Sequence, residues 1–527
     1  MRKLIQFKNR SGRAALGLTL GLTLGALSAC DSLLEVELPH LLTDAALESE
    51  DTALTQVNSA IALFECGVAT FGWIALGSED VLEAIAGLGA TAAVYRDDPV
   101  TGGCDGDAID QSWFDQVMGA RAMLSREDGR GVYDRIQNEW NLPGNKGDEL
   151  SAIAAIYLAA SISHMGQFIC EFTFDGGSAI TPPEVMDIAE TWIGTALGHI
   201  TASGLGEMPF NISDGPNGAR NMALALRAQI RWAKADATAT GHSSPANLAA
   251  AAADAATVLN SNPTFTAWVT RESGNTRRNK IHHTAQVTVP STMYDRINFW
   301  NPELRRVNPA TGVQWTDPII FTGYIDLAVM PDGRTVSEDG DPITLATAGS
   351  VADTRVRHKT GPGTGAGDFT IPIRYVSDAD DMPLVAWREL RLIQAENENV
   401  LGNRQAAIDF VNMVRAGTGT PVGGMPQVTY IDGTATFKQV RYLIHEERRR
   451  AFFLEGARYW SVKIQNTDIS WFPRLQGQTP GNANYNLRGG VRLTFAFNEY
   501  SLNPNFLRVD KRGSGCVDRQ RPVVADL

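Results

Sequence analysis

The stretch that decides the fold lies between residues 381 and 463. It reads DMPLVAWRELRLIQAENENVLGNRQAAIDFVNMVRAGTG over residues 381–419 and TFKQVRYLIHEERRRAFFLEGARYWSVK over residues 436–463. Asp381 and Pro383 predict a helix start, because an Asp side chain can cap a helix and Pro suits its first turn. Gly402 predicts the end of that helix, since Gly accepts the left-handed conformation found there. A second helix must begin at once, so the sequence predicts an antiparallel helical hairpin.

A dense block of charge lies in the third predicted helix of this stretch. The helix is expected to open with Thr436-x-x-Gln439, a pattern typical of a capping box. Five consecutive charged residues, 446–450, then precede an apolar run. Either these charges form a solvated face, or some of them are buried against the hairpin with paired partners and fix its register. Glu455 and Arg458 are three residues apart, so they are expected to share a face and pair.

The block ERRRAFFLEGARYW at residues 447–460 resembles the closing signature of the SusD/RagB nutrient-uptake lipoproteins, which runs roughly E-R-R-x-E-L-x-x-E-G-x-R-x-x-D-L. The chain departs from this pattern at Ala451, where the family usually has Glu, and at Ser461, where it usually has Asp. The signature is specific to the family and says nothing about the ligand. The positions that carry the resemblance are Glu447, Arg448, Arg449, Glu455, Gly456 and Arg458, with Arg388, Ala395, Glu396, Gly402, Ala406, Asn412 and Arg415 in the preceding hairpin.

Helical periodicity also marks the N-terminal half of the chain. From residue 261 to 380 it disappears, and Pro, Gly and Thr become frequent. A long irregular segment inside a compact domain is usually functional. The predicted fold is mainly α, with tetratricopeptide-like helical pairs and long irregular loop insertions, and the resemblance implies the same SusD-like architecture. The expected N-terminal helices cover residues 43–71, 113–140, 148–168, 182–200, 221–234 and 244–259.

The N-terminus has the pattern of a lipoprotein signal peptide. Five basic residues precede the apolar run 14–27, which is too short to span a bilayer. The run ends in Leu27-Ser28-Ala29-Cys30, and small residues before a Cys form a lipobox. Cys30 is therefore expected to be acylated and to anchor the chain to a membrane. An ordinary signal peptide followed by a chance Cys is the alternative.

Length and charge limit the classes of function. The chain has 527 residues and a net charge of −13, and loss of a basic signal peptide makes the mature chain more acidic still. Such a protein is a poor nucleic-acid binder. The predicted segments are a lipoprotein signal peptide at 1–29, a tether at 30–42, an N-terminal helical region at 43–260, an irregular candidate ligand region at 261–380, a C-terminal signature region at 381–465 and a loop-rich tail packing on the body at 466–527.

Four further cysteines form an even set, which in an exported protein favours two disulfides with three possible connectivities. The preferred pairs are Cys66–Cys104, which is local, and Cys170–Cys516, which would hold down the tail. No C-x-x-C pattern exists, so a zinc ribbon is not expected.

No motif predicts catalysis, a metal or a cofactor. The histidine pair 282–283 lacks an H-E-x-x-H frame, and the Gly-rich stretch 361–367 lacks the Lys of a phosphate loop, which favours a flexible loop. The acidic run 105–110 lacks the twelve-residue calcium pattern. A pair of carboxylates for glycosidic chemistry stays open, because its members can lie far apart in a sequence.

The resemblance implies a lipoprotein that captures a nutrient, a glycan first and a peptide second, and delivers it to a SusC-like TonB-dependent outer-membrane transporter. It also implies attachment to the outer membrane of a Gram-negative bacterium, facing the cell surface. A lipid-anchored glycan hydrolase and a helical-repeat protein-binding scaffold are the alternatives. Aromatic rings on loops offer flat apolar faces to sugars or peptides, although ordinary core packing can also account for them. The expected ligand-binding residues are Tyr95, Trp268, Trp300, Trp315 and Tyr324.

Overall fold

The computed structural model describes the helical body of the chain and parts of the segments between its helices. The chain divides into two units, residues 1–52 and 53–527. In the first unit, the described residues include a 3-10 turn at Glu50–Thr52. The elements below belong to the second unit. The described residues are 47–78, 83–84, 112–169, 172–204, 218–235, 237–238, 241–242, 244–273, 277–279, 287–288, 321–322, 358–362, 368–372, 374–417, 429–430, 437–455 and 503–505.

The helices of the N-terminal half pack mainly as sequential pairs. The first pair is α1 with α2, the second α4 with α5 and the third α6 with α7, while α5 also packs against α6 and so joins two pairs. This arrangement confirms the prediction of a mainly α fold with tetratricopeptide-like pairs. The bounds are α1 Ala53–Ser78, α2 Ser112–Leu124, α3 Val132–Asn138, α4 Lys146–Phe168, α5 Pro182–Ser203, α6 Gly218–Ala235 and α7 Pro245–Ser261.

Two N-terminal helix predictions need correction. The first long helix begins at Ala53 instead of residue 43. The expected helix over 113–140 is interrupted, because α2 ends at Leu124 and α3 begins only at Val132. Asp134, in the first turn of α3, accepts hydrogen bonds from two residues that follow α2. The donors are the Ser125 hydroxyl at 2.8 Å and the Arg126 amide at 2.9 Å. These bonds satisfy a backbone amide and a side-chain hydroxyl in the turn. They thereby compete with the backbone hydrogen bonds of a continuous helix.

The C-terminal helices form the predicted hairpin and a crossing helix. These are α8 (Trp387–Leu401), α9 (Arg404–Ala416) and α10 (Phe437–Ala451). Gly402 ends α8 with a φ of 91°, as the sequence predicted. Helix α8 also packs against α7, and α10 packs across both α8 and α9. The signature stretch is therefore part of the same helical body as the N-terminal pairs.

The predicted start of α8 is wrong. Residues Met382–Ala386 form a strand, β9, which pairs antiparallel with β4 (Thr266–Val269). Helix α8 begins only at Trp387, whose amide donates to the Phe265 carbonyl at 2.7 Å. The capping pattern at Asp381 and Pro383 is thus overridden by pairing with a strand more than a hundred residues earlier, a contact that local propensity does not report.

The remaining strands are short and pair antiparallel in separate two-stranded sheets. The pairs are β1 with β5, β2 with β3, β6 with β10, and β7 with β8. The Gly-rich stretch 361–367 begins inside β7, so the prediction of a loop is wrong for its first two residues, and the rest lies outside the described residues. The bounds are β1 Glu83–Ala84, β2 Ala237–Thr238, β3 Gly241–His242, β5 Val287–Thr288, β6 Phe321–Thr322, β7 His358–Pro362, β8 Asp368–Pro372 and β10 Thr429–Tyr430.

Helix α4 lies at the centre of the N-terminal core. Every residue from Leu150 to Phe168 is buried, which is expected of a helix that is apolar or small on all sides. Gly166 allows its close contact with α5, because a Cβ there would lie 2.9 Å from both the Met186 Sδ and the Val185 Cγ1 atoms. Among the described residues, no helix is long and apolar enough to cross a membrane.

Candidate functional site

The two ends of the irregular region 261–380 meet in a neck, whose described residues are 266–273, 277–279 and 378–386. The pairing of β4 with β9 closes its base. Beyond the strands, the Arg271 amide donates to the Asp381 carboxylate at 2.6 Å. Asn279 continues the closure, because its amide donates to the Asp378 carbonyl at 2.6 Å and its side chain to the Asp380 carbonyl at 2.8 Å. These contacts hold the chain that leaves α7 beside the chain that enters α8.

Trp268 is the one predicted ligand-binding aromatic within the described residues. It lies on β4, in the neck, with Pro383 as its partner in register. The ladder is irregular between Ala267 and Trp268. Its neighbours in the strand are buried, whereas Trp268 itself is half-buried. It is thus on a strand that supports the irregular region, and not on a loop as the sequence suggested.

The other predicted site residues lie outside the described residues. These are Tyr95, Trp300, Trp315 and Tyr324 among the aromatics, Cys30 at the lipobox, and Cys104, Cys170 and Cys516. Cys66 is buried on α1 and is disulfide-bonded, with a partner that lies outside the described residues. Both preferred pairings stay predictions. In the tail, the side chains of Asn503 and Asn505 donate to the Gly177 and Gly176 carbonyls at 3.1 and 2.9 Å.

The charged block of the signature is buried where α10 crosses the body. Arg448 on α10 pairs with Glu396 on α8, and the two side chains are each 2% exposed. The Trp232 indole on α6 donates to the same Glu396 oxygen at 2.7 Å. The Arg448 guanidinium also lies over the Trp232 ring, 4.6 Å from its centroid, a favourable cation–π distance. One carboxylate therefore joins three helices.

A second ion pair and two amide contacts extend this arrangement. Arg415 on α9 pairs with Glu447 on α10 at 3.2 Å, and both side chains are at most 1% exposed. Gln229 on α6 donates to Glu389 at 2.6 Å and to the Leu384 carbonyl at 3.1 Å. Of the two alternatives for the charged block, the buried and paired one is therefore correct for Glu447 and Arg448. A solvated face would need both side chains in water.

The residues that directly follow α10 contact the last part of the irregular region. Glu455 lies beyond the helix and pairs with both Arg374 and Arg388. Arg374 also donates to the Phe453 carbonyl at 2.6 Å, and the Tyr375 hydroxyl donates to the Leu454 carbonyl at 3.2 Å. Burial raises the pKa of Tyr375, which stays a neutral donor. The expectation that Glu455 and Arg458 share one face of a helix is wrong, because α10 ends at Ala451.

A hydrogen-bonded chain on the N-terminal helices was also missed by sequence reasoning. The His199 Nδ1 atom on α5 lies 2.8 Å from the Asp148 carboxylate on α4, and its Nε2 atom lies 3.2 Å from the Tyr133 hydroxyl on α3. Tyr133 meets Trp192 edge to face at 5.0 Å. Burial raises the pKa of Tyr133, so its hydroxyl is a poor nucleophile and the chain stabilises the packing of three helices. Within the described ranges, no group of three His, Cys, Asp or Glu could hold a metal ion.

Comparison with known proteins now adds to this geometry. Residues 381–463 match the model of the SusD family. This stretch of the chain is similar to the SusD family. The stretch from which the sequence analysis began is the matched one, so the resemblance to the SusD/RagB group is confirmed. No curated protein sequence matches the chain.

Solved structures share the SusD-like fold over most of the chain. A SusD-like protein described as Bacteroidetes AC2a is 12% identical with a TM-score of 0.54, and the match covers 90% of this chain and 99% of that one. A SusD superfamily protein from Parabacteroides distasonis is 11% identical with a TM-score of 0.50, covering 87% and 98%. A SusD-like carbohydrate binding protein from Bacteroides vulgatus is 14% identical with a TM-score of 0.48, covering 79% and 83%. At these identities the likeness to the first two structures concerns the fold alone.

Within this SusD-like fold, the signature residues support the structure. Glu447, Arg448 and Glu455 are buried and hold α6, α8, α9 and α10 together with the end of the irregular region. Buried and paired in this way, they are not available to a ligand. The signature thus identifies the scaffold, and the candidate functional site is the neck with the region that it carries.

Proposed function

We propose that this chain captures a nutrient glycan outside the cell and passes it to a SusC-like TonB-dependent transporter of the outer membrane. The observation that carries the proposal is the SusD family match over residues 381–463. The matched residues build a rigid support at the point where the irregular region 261–380 leaves and rejoins the body. In this proposal the irregular region holds the ligand, and binding without turnover is the whole task.

The neck supports ligand capture in physical terms. Binding sites commonly lie on loops that a rigid scaffold positions. Here strand pairing, the Arg271–Asp381 bond and the two bonds of Asn279 fix both ends of the irregular region. Trp268 is a half-buried residue at this place, and an aromatic face suits the apolar face of a sugar ring. We therefore assign the 261–380 segment as the ligand region.

The proposed location follows from the N-terminal pattern. Acylation of Cys30 would hold the chain at the membrane, and residues 30–42 would serve as the tether. The tail from residue 466 would pack on the body, as Asn503 and Asn505 do at the 176–177 turn.

The test of ligand capture is calorimetric titration of the chain without its first 30 residues. The probes are maltohexaose, xylohexaose, a galacturonic acid trisaccharide and a short peptide of matched length. We expect saturable binding of one saccharide without release of smaller sugars over a day. Binding of the peptide alone would correct the ligand class, steady release of sugars would favour a hydrolase, and no binding at all would contradict nutrient capture.

The transporter partnership needs a separate experiment. The full-length chain with a C-terminal tag is extracted from its own outer membrane in mild detergent and purified. We expect a TonB-dependent barrel protein to co-purify in a near-equal ratio, and the same tag on a Cys30→Ser chain to recover much less of it. A full-length chain that purifies alone, from membranes in which such a barrel is present, would contradict the partnership.

A further inference from the structure

Glu65 is a carboxylate buried on the inner side of α1, directly before the disulfide-bonded Cys66. Its side chain is 2% exposed. One oxygen, Oε2, accepts from the Thr270 hydroxyl at 2.7 Å and from the Arg277 guanidinium at 2.9 Å. Arg271, with a side chain 1% exposed, lies 3.9 Å from the same oxygen. All three partners lie in the chain that follows β4.

This buried charge is a costly way to stabilise a core. Burial raises the pKa of Glu65, opposed by the Thr270 hydrogen bond and by Arg271 and Arg277. Burial also lowers the pKa of Arg271 to about 10. Apolar residues of similar volume often stabilise a protein as well as a buried ion pair does, so such a pair is weak support for a purely stabilising role. A role in fixing geometry accounts for it better.

The charged partners of Glu65 lie in the neck, and a buried tyrosine lies on its other side. Tyr157 faces it from α4, and the negative charge of Glu65 adds to burial in raising the pKa of that hydroxyl. Arg277 in turn pairs with Glu272 at 3.1 Å. Arg271 is held through its amide by the Asp381 carboxylate, which precedes β9. Glu65 is thus the contact through which α1 holds both the outgoing chain and, through Arg271, the returning one.

We propose that Glu65 is a positioning residue for ligand capture, which holds Thr270, Arg271 and Arg277 against α1 and thereby sets how the ligand region leaves the body. The proposal rests on the proposed function, because it assumes that the 261–380 region binds a ligand. Glu65 itself touches no ligand. The carboxylate acts on the chain that follows Trp268 from a buried position on α1.

The experiment compares Glu65→Gln with Glu190→Gln in the mature chain. Glu190 is a matched control, because its carboxylate also holds two cations, Arg231 at 2.7 Å and Lys234 at 2.8 Å, but between α5 and α6 and away from the neck. Amide hydrogen exchange is measured at neutral pH for peptides covering residues 266–279, with peptides of α8 as an internal reference. Affinity is measured by calorimetry for whichever of the four probes binds.

We expect Glu65→Gln to speed exchange over 270–279 by about tenfold, the scale of a local opening, without a change in α8. The affinity for the probe should fall by about fivefold, or roughly 1 kcal/mol. Glu190→Gln should change neither. Arg277→Met should weaken binding to a similar degree, and the double variant should be no weaker than either single one, since both act through one contact.

Each outcome decides. Unchanged exchange over 270–279 would show that Glu65 does not hold the neck. Faster exchange with unchanged affinity would overturn the role in capture and leave the proposed function standing. Additive losses in the double variant would mean that Glu65 and Arg277 act separately. If no probe binds even the unaltered chain, the proposed function fails, while the exchange data still test whether Glu65 fixes the neck.

Discussion

Arg448 and Glu396 form an ion pair inside the protein, with each side chain 2% exposed. The pair joins α10 to α8, and Trp232 joins α6 to both by donating to the carboxylate at 2.7 Å and lying beneath the guanidinium. A charge buried in a dry interior is tolerated only when it is paired and hydrogen-bonded. The position of α10 against α6 and α8 therefore depends on this buried ion pair as well as on the packing of apolar side chains.

Arg448→Met should destabilise the protein strongly, because it leaves Glu396 buried without its cation. Breaking a buried pair in this way costs about 3–5 kcal/mol. The measurement is urea unfolding followed by circular dichroism. Arg126→Met is the control, since Arg126 pairs with Asp128 where the side chains are 48% and 44% exposed and should contribute about 0–1 kcal/mol. Equal losses in the two variants would contradict the structural role, whereas Glu396→Gln added to Arg448→Met should restore part of the loss.

The sequence predicted much of the helical scaffold but little of what lies between its parts. Gly402 marked the end of α8 correctly, and Pro182 marked the start of α5, because both signals act through local backbone geometry. The β9 strand was missed because its partner, β4, is distant in sequence. Glu65 was missed for the same reason, since Thr270 follows 205 residues later. The one signal in the sequence was an acidic residue among the apolar residues of α1.

Glu65→Gln should change the pH dependence of stability. Burial raises the pKa of Glu65 in the folded chain above its usual value of 4.5. The folded state thus binds this proton more tightly than the unfolded state, and the stabilisation is fully present below pH 4.5 and lost as the pH rises through the folded pKa. The free energy of unfolding of the wild type, minus that of Glu65→Gln, should therefore decrease between pH 4.5 and neutrality.

Urea titrations at intervals of half a pH unit, from about 4.5 to 8, supply this comparison. Glu190→Gln is again the control, because hydrogen bonds and charges from Lys234 and Arg231 outweigh burial and lower the pKa of Glu190. Its stabilisation is fully present above the unfolded pKa and is lost only at lower pH, so the corresponding difference should stay nearly flat over this range. A difference for Glu65→Gln that stays flat or increases with pH would show that its carboxylate is not destabilised by burial.

Gly166→Ala should destabilise the contact between α4 and α5. The added methyl group would lie 2.9 Å from Val185 and Met186, a distance that forces a shift in a packed interface. Overpacking of this kind costs about 1–3 kcal/mol. Gly194→Ala on α5 is the matched control, since a Cβ there meets nothing within 4 Å and the loss of Gly flexibility should stabilise by about 0.5–1 kcal/mol. Thermal melts that rank Gly166→Ala at or above the wild type would contradict the close approach.

Thiol labelling should find no free cysteine in the mature chain without Cys30. Cys66 is disulfide-bonded, and the preferred partner is Cys104, with Cys170 paired to Cys516. Mass spectrometry of peptides from the denatured, unreduced protein identifies the pairs. Replacing Cys66 by Ser should cost about 2–4 kcal/mol if the bridge closes a long loop. Labelling of all four positions would show that these cysteines are unpaired.

Alanine at Trp300 or Trp315 should weaken ligand binding, and Trp268→Ala tests the same idea at the neck. Rings that converge on a sugar contribute about 0.5–1.5 kcal/mol each beyond the area that they bury. Loss of Trp300 or Trp315 should therefore reduce the affinity at least about tenfold, or about 1.4 kcal/mol, with little change in the melting temperature.

Trp268 differs, because it is half-buried on β4, so Trp268→Ala should lower both the affinity and the melting temperature. Calorimetric titration with the saccharide that binds, run beside thermal melts, separates these effects. If Trp300→Ala and Trp315→Ala both unfold the chain, or if neither changes the affinity, those rings belong to the core and the ligand binds elsewhere.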